Sequence, residues 1–214
     1  MNKVIFSSIT KKFTMAIAGI FLLLFLPVHL GINFMLLKDE PEPFNKAAHF
    51  MATFPVIKLL EIILIAAILI HISWGIFLQI RNWLSRPVGY VVSTKSETSF
   101  FSRFMIWTGA SILTFFVIHF FNFFFVKLGL VPGNPEDFYT RAHDLFKITT
   151  YDIIYLTCFA LLGLHLYHAF SSAFQTLGLN HRLWTPVIKV FSLIYAIVIP
   201  AGFALIALTL WLFR

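Results

Sequence analysis

Charge, cysteine and glycine-rich loops are all scarce in this sequence. Charged residues make up 12% of its 214 positions, about half the share usual in a soluble domain. The lone cysteine, Cys158, stands inside an apolar run, which excludes a disulfide-stapled secreted scaffold. One thiol cannot hold an iron–sulfur cluster, and no glycine-rich dinucleotide fingerprint is present. What is abundant is apolar: 59% of residues are hydrophobic and 27 are Phe. That composition excludes disorder. The net charge of +7 comes with too little polar surface for a nucleic-acid partner. The chain reads as an all-α polytopic membrane protein.

Five apolar runs, 15–37, 56–80, 104–126, 150–174 and 187–213, reach the ~20 residues that cross ~30 Å of hydrocarbon as a helix. They are continuously apolar rather than alternating, so helices are expected and not a barrel. The first run is too long for a signal-peptide core and no small-x-small cleavage site follows it, so it is expected to stay as a span. Pro27 and Pro200 fall inside spans, where each frees a carbonyl that a neighbour must satisfy. No repeat or soluble segment divides residues 1–214, which are read as one domain.

Charge orients the spans. Lys3, Lys11, Lys12, Arg81, Arg86, Lys95, Arg103, Arg182 and Lys189 gather on one side, with Glu97 the acid among them. The other side balances Lys38, Lys46, Lys58, Lys127, Arg141, Lys147 and Arg214 against Asp39, Glu40, Glu42, Glu61, Glu136, Asp137, Asp144 and Asp152. The positive-inside rule places the N-terminus in the cytoplasm and the C-terminus outside, as five spans require. A short interfacial helix is expected over 44–54. Residues 128–146 are read as a long connection with a Val-Pro-Gly-Asn-Pro turn. The basic cytoplasmic stretch 82–102 suits a soluble partner.

Five of the eight histidines lie in spans: His29, His71, His119, His165 and His168. An ionisable group in the membrane is costly and marks function. One such residue is easily an ordinary core histidine bonded to a carbonyl, but here each of the first four spans carries one. His29 and His119 stand about eight and seven residues from the outer ends of their helices. His71 and His165 stand about nine and ten from the inner ends. At ~1.5 Å per residue these are depths of ~11–15 Å. Two histidines share an outer level and two an inner level, on helices able to face one another. Paired imidazoles across a bundle are the ligand set of a six-coordinate haem iron, whereas structural zinc wants four ligands at one depth. Two b haems are therefore expected, with Phe115, Phe116, Phe120, Phe121, Trp74, Phe77, Phe159 and Tyr167 as candidate packing partners. His168, one turn beyond His165, competes with it as ligand or serves a haem propionate. His49, His143 and His181 fall in connections.

The motifs that carry these histidines resemble those of the dihaem cytochrome b anchors of succinate:quinone oxidoreductases and fumarate reductases, in their five-helix form. The segments are Leu-Pro-Val-His29-Leu, Phe44-Asn-Lys-Ala-Ala-His49-Phe-Met with Leu60-Glu61-Ile and His71, Ile118-His119-Phe, and Leu164-His165-Leu-Tyr-His168 followed by Ser172-Ala-Phe-Gln-Thr-Leu-Gly178. The last is the most specific, and counting back from Gly178 favours His165 as ligand. The resemblance implies an outer haem between His29 and His119 and an inner haem between His71 and His165. It also implies a flavoprotein subunit with FAD and an iron–sulfur subunit docked on the cytoplasmic face of the cell inner membrane. The electron partner in the membrane is then quinone, in such anchors usually menaquinone, in succinate oxidation or fumarate reduction. Moving one electron through the membrane potential is worth ~2.3 kcal/mol per 100 mV, so the level of the quinone site matters.

Quinone chemistry needs a proton partner. Glu61 is the first candidate, with Lys58 as the partner that would make it merely structural, and Asp152 and His49 follow. Gln79, Arg81, Arg103 and Gln175 are inner-side candidates for propionates or subunit docking. Two rival readings are the anchor of another bis-histidine respiratory cytochrome and a haem-free transporter or scaffold with buried histidines.

Overall fold

The computed structural model describes residues 8–85 and 100–213. It is 87% helical, with no strand among the described residues. In chain order, α1 is Ser8–Asn33, prolonged by a 3-10 turn at Phe34–Leu37; α2 is Glu42–Thr53; α3 is Pro55–Leu84; α4 is Phe100–His119. α4 runs on through a π-helical turn, Phe120–Phe124, and a last α-helical piece, Phe125–Lys127. α5 is Phe138–Lys147, α6 is Thr149–Thr176 and α7 is Trp184–Phe213. Five of these segments are long and apolar enough to cross a membrane: Ile9–Leu37, Pro55–Leu84, Phe104–Lys127, Thr149–Thr176 and Trp184–Phe213. In hydrocarbon every backbone group must be satisfied within the segment, which is why such runs become helices.

Local chemistry sets the ends. Pro55 opens α3, where its missing N–H costs nothing. α6 closes on Gly178 at φ +79°. There Gly178 N–H donates to Gln175 O and Leu179 N–H to Phe174 O, both at 3.0 Å, a Schellman ending that favours glycine. Asp137 caps α5 by accepting from Thr140 N–H at 3.1 Å.

α5 corrects the reading of 128–146 as a connection. Tyr139, Ala142, His143 and Phe146 recur at helical spacing and are buried, but ten residues are too few to register as an apolar run. His143 is thus no loop histidine: its Nδ1 meets Tyr139 O at 2.9 Å. The short helix expected over 44–54 is α2.

α1, α3, α4 and α6 pack as a closed ring of neighbours, α1 beside α3, α3 beside α4, α4 beside α6 and α6 beside α1. The diagonals α1–α4 and α3–α6 are not close helix contacts among the described residues. α7 lies outside this ring, along α6 and α1. The two in-span prolines free carbonyls that face different neighbours. Pro27 frees Leu23 O, and the Tyr195 hydroxyl of α7 donates to it. Pro200 frees Ala196 O, and Gly163 of α6 faces it so closely that a Cβ there would stand 2.9 Å from that oxygen. Leu24, Ile62, Leu69, Val117 and Val198 are among the large apolar side chains on the outside, the surface that lipid covers.

Candidate functional site

Each diagonal of the ring is spanned by a histidine pair. His29 of α1 meets His119 of α4 with ring centres 5.9 Å apart and planes at 88°. His71 of α3 meets His165 of α6 with centres 6.4 Å apart and planes at 74°. All four rings are half-buried.

Glycines make room at one level. The faces of Gly19 and Gly109 lie 3.4 Å and 3.7 Å, as a Cβ would measure it, from the rings of His71 and His165. His29 and His119 each follow ten residues after those glycines on the same helix. A ten-residue rise is ~15 Å, so the two pairs stand about that far apart along the bundle.

The second ring nitrogens are held differently at the two levels. His71 Nδ1 lies 3.3 Å from Met15 O. A carbonyl only accepts, so Nδ1 carries the proton and Nε2 the lone pair. His165 Nδ1 lies 3.3 Å from Thr108 Oγ1. Thr108 gives its own proton to Met105 O at 3.1 Å or Phe104 O at 3.3 Å, so towards His165 it accepts. This pair therefore presents two Nε2 lone pairs. For the other pair, His29 Nδ1 is 3.5 Å from Asn33 Nδ2 and His119 Nδ1 is 3.5 Å from the Tyr155 hydroxyl, both at the outer limit of hydrogen bonding. Aromatic contacts hold these rings instead. Phe25 stacks on His29 at 5.1 Å and Phe115 on His119 at 5.5 Å, with Phe203 and Phe123 beside them at 5.7 and 5.2 Å.

Two imidazoles bound to one metal ion at ~2 Å each have ring centres about 6 Å apart, and both pairs have that separation. No group of three or more His, Cys, Asp or Glu side chains that could cage a bare ion occurs among the described residues. A two-imidazole set fits a metal that brings its remaining ligands with it, as haem iron does. The residues present therefore fit haem at both levels.

Compared with protein-family models, curated proteins and solved structures, the chain matches none of them.

His168 makes no hydrogen bond or ring contact among the described residues, and it is His165 that reaches His71. The acid–base candidates Glu61, His49 and Asp152 are not brought together. Glu61 pairs with Lys127, not Lys58, through Nζ–O distances of 2.7 and 2.6 Å. The antiparallel course of α3 and α4 sets that partner, which sequence distance conceals. His49 is exposed, 3.5 Å from Glu136, in an open cleft of about 360 Å³ lined also by Glu42, Asn45, Lys46, Phe50 and Thr53. Asp152 is fully buried, and neither of its oxygens has a hydrogen-bond partner among the described residues. Gln79 is half-buried, while Arg81 and Gln175 are exposed. The side chain of Arg103, and residues Lys3, Arg86 and Lys95, lie outside the described residues. Of the aromatic rings expected near the histidines, Phe115 and Phe120 contact His119. Trp74 and Phe77 instead hold the buried ammonium of Lys11, at 5.2 and 4.0 Å, a cation–π contact.

Sequence reasoning passed over Met15, Thr108, Tyr155, Asn122 and Phe203. Asn122 sits in the π-helical turn after His119 and donates to the Tyr155 hydroxyl at 3.1 Å; Arg141 Nε donates to its carbonyl. One signal for the levels was available in the chain: glycine followed by histidine ten residues later occurs in both α1 and α4.

Proposed function

We propose that this chain is a membrane anchor holding two b haems, one between His29 and His119 and one between His71 and His165. In this reading it carries electrons between a cytoplasmic iron–sulfur subunit and membrane quinone, most simply menaquinone. The observation that supports it best is the double diagonal: two imidazole pairs at metal-bridging separation, the His71–His165 pair with both Nε2 lone pairs turned loose by acceptors on Nδ1. Bound haem supplies reversible one-electron chemistry at iron. The chain's own part is to fix the imidazoles, exclude water and place the charges.

Met15 O and Thr108 Oγ1 take the Nδ1 protons of the inner pair, which raises the basicity of Nε2 and fixes ring orientation. The phenyl rings around His29 and His119 keep the outer level dry. Glu61, ion-paired to Lys127, is the group proposed to exchange a proton with a quinone oxygen, with His49 and Glu136 at the outer surface next in reach of water. Asp152, whose oxygens have no hydrogen-bond partner among the described residues, is a further proposed proton partner. Gln79, Arg81, Arg103 and Gln175 remain proposed contacts for propionates or the iron–sulfur subunit. The motif resemblance supports the wider setting: an N-terminus in the cytoplasm, the cell inner membrane, and a partner flavoprotein with FAD on which succinate and fumarate interconvert.

Purification in mild detergent, reduction with dithionite and pyridine-haemochrome assay test the reading. Two haems per chain are expected, together with co-purifying flavoprotein and iron–sulfur subunits. Replacement of His71 or His165 should remove one haem and leave the other. A protein without visible α and β bands would overturn the reading in favour of a haem-free transporter or scaffold.

A further inference from the structure

The two histidine levels are held by different means, and the difference points to α7. At the His71–His165 level hydrogen bonds of 3.3 Å orient both rings. At the His29–His119 level the polar contacts reach only 3.5 Å, and orientation falls to aromatic packing. That packing closes on itself. His29 touches Phe203 at 5.7 Å, Phe203 stacks on Phe159 at 5.5 Å, Phe159 touches Phe115 at 6.0 Å, and Phe115 stacks on His119 at 5.5 Å. Four of these five rings come from the helix ring α1, α4 and α6. Phe203 alone comes from α7, and it is 9% exposed.

α7 is pinned to α1 on both sides of this contact. The Tyr195 hydroxyl bonds Leu23 O, six residues before His29. One residue after His29, Leu30 lies against Gly202, where a Cβ would come within 2.8 Å of its side chain. The phenyl ring of Phe203 therefore has little freedom to move away from His29, which it meets at 5.7 Å in addition to the stacked Phe25.

We infer that Phe203 is a positioning residue: it holds the His29 imidazole in the ligand orientation and keeps that metal position closed to small exogenous ligands. This rests on the haem reading above. A six-coordinate bis-histidine iron does not bind carbon monoxide, because no coordination position is open; a loosened histidine opens one.

The test is carbon monoxide difference spectroscopy on the dithionite-reduced, purified full chain with any subunits that accompany it. The wild type is expected to show two haems and no response. Phe203→Ala is expected to keep two haems and respond at about one of the two, the one that His29→Ala removes and His71→Ala retains. Phe203→Leu, which restores bulk but not ring stacking, is expected to respond over a smaller fraction of that haem. Should the alanine variant fail to accumulate, the leucine variant decides alone. A Phe203 variant with two haems and no response overturns the inference, as does a response at the His71–His165 level, while leaving the haem reading standing. A wild type without haem overturns both, and is recognised before any variant is made.

Discussion

Thr108 has one hydroxyl proton, and its destination decides what the residue does. Because that proton goes back to Met105 O or Phe104 O within α4, the oxygen is left to accept from His165. Thr108→Val keeps the shape and removes the acceptor. Loss of such an outer partner lowers metal affinity by about 10–100-fold, so a lower haem content is expected in the Val variant, confined to one of the two haems. Thr108→Ser should restore it. Equal haem in Val and Thr proteins would show that the contact does not hold the ring. The partner of His71 cannot be tested this way, because it is a main-chain carbonyl, Met15 O. The histidines themselves were legible in the sequence because ionisable residues in apolar runs are conspicuous. Their partners were not: Thr108 and Tyr155 look like ordinary helix residues until the fold brings them within reach.

At the scale of the helix, α6 and α7 meet where side chains are absent. Gly163 faces Ala196 O and the Pro200 ring, and a methyl there would stand 2.9 Å from the oxygen. Small residues allow such approach, and close packing is what drives helix association in lipid. Gly163→Ala is expected to push α7 outward at a cost of about 1–3 kcal/mol. Thermal unfolding in detergent should show the loss, and limited proteolysis should cut near α7 before the other helices. Unchanged stability and cleavage would mean that α7 shifts without cost. Pro200 was visible in the sequence as a residue that frees a carbonyl. Which residue would face that carbonyl was not visible, since Gly163 stands in a different span.

For the molecule as a whole, the end away from the N-terminus is closed by a clasp between α2 and α5. Asn45 donates to Asp137 Oδ1 at 2.9 Å and accepts from Tyr139 N–H at 3.1 Å, while the Tyr139 hydroxyl donates to Lys38 O at 2.6 Å. The Asn45 hydrogen bond, followed by that from Thr140, holds the Asp137 carboxyl below the usual aspartate range. A depressed folded-state value stabilises the clasp at pH above the ordinary aspartate value, and that stability is lost as pH falls through the folded value. Hydrogen exchange should therefore find the Tyr139 and Thr140 amides protected at neutral pH and opened in acid below the ordinary aspartate range. Asp137→Ala, which also removes the α5 cap at about 1 kcal/mol, should open them at neutral pH. Protection that persists in both cases would show that apolar burial of Tyr139, Ala142 and Phe146 holds α5 without the clasp.

Sequence alone determined the five long helices, because lipid leaves a continuous apolar run no other way to satisfy its backbone. It also paired the histidines by level, His29 with His119 and His71 with His165, since position along a helix follows from residue count at a fixed rise. It did not determine α5, whose ten residues bury one face by packing on the bundle rather than by entering hydrocarbon. Nor did it determine the partner of Glu61, which lies on a helix antiparallel to its own, or the place of Phe203 beside His29. Contacts of that kind depend on which helices become neighbours and how each is rotated about its axis. Side-chain packing between helices sets both, and no pattern along a single helix records it.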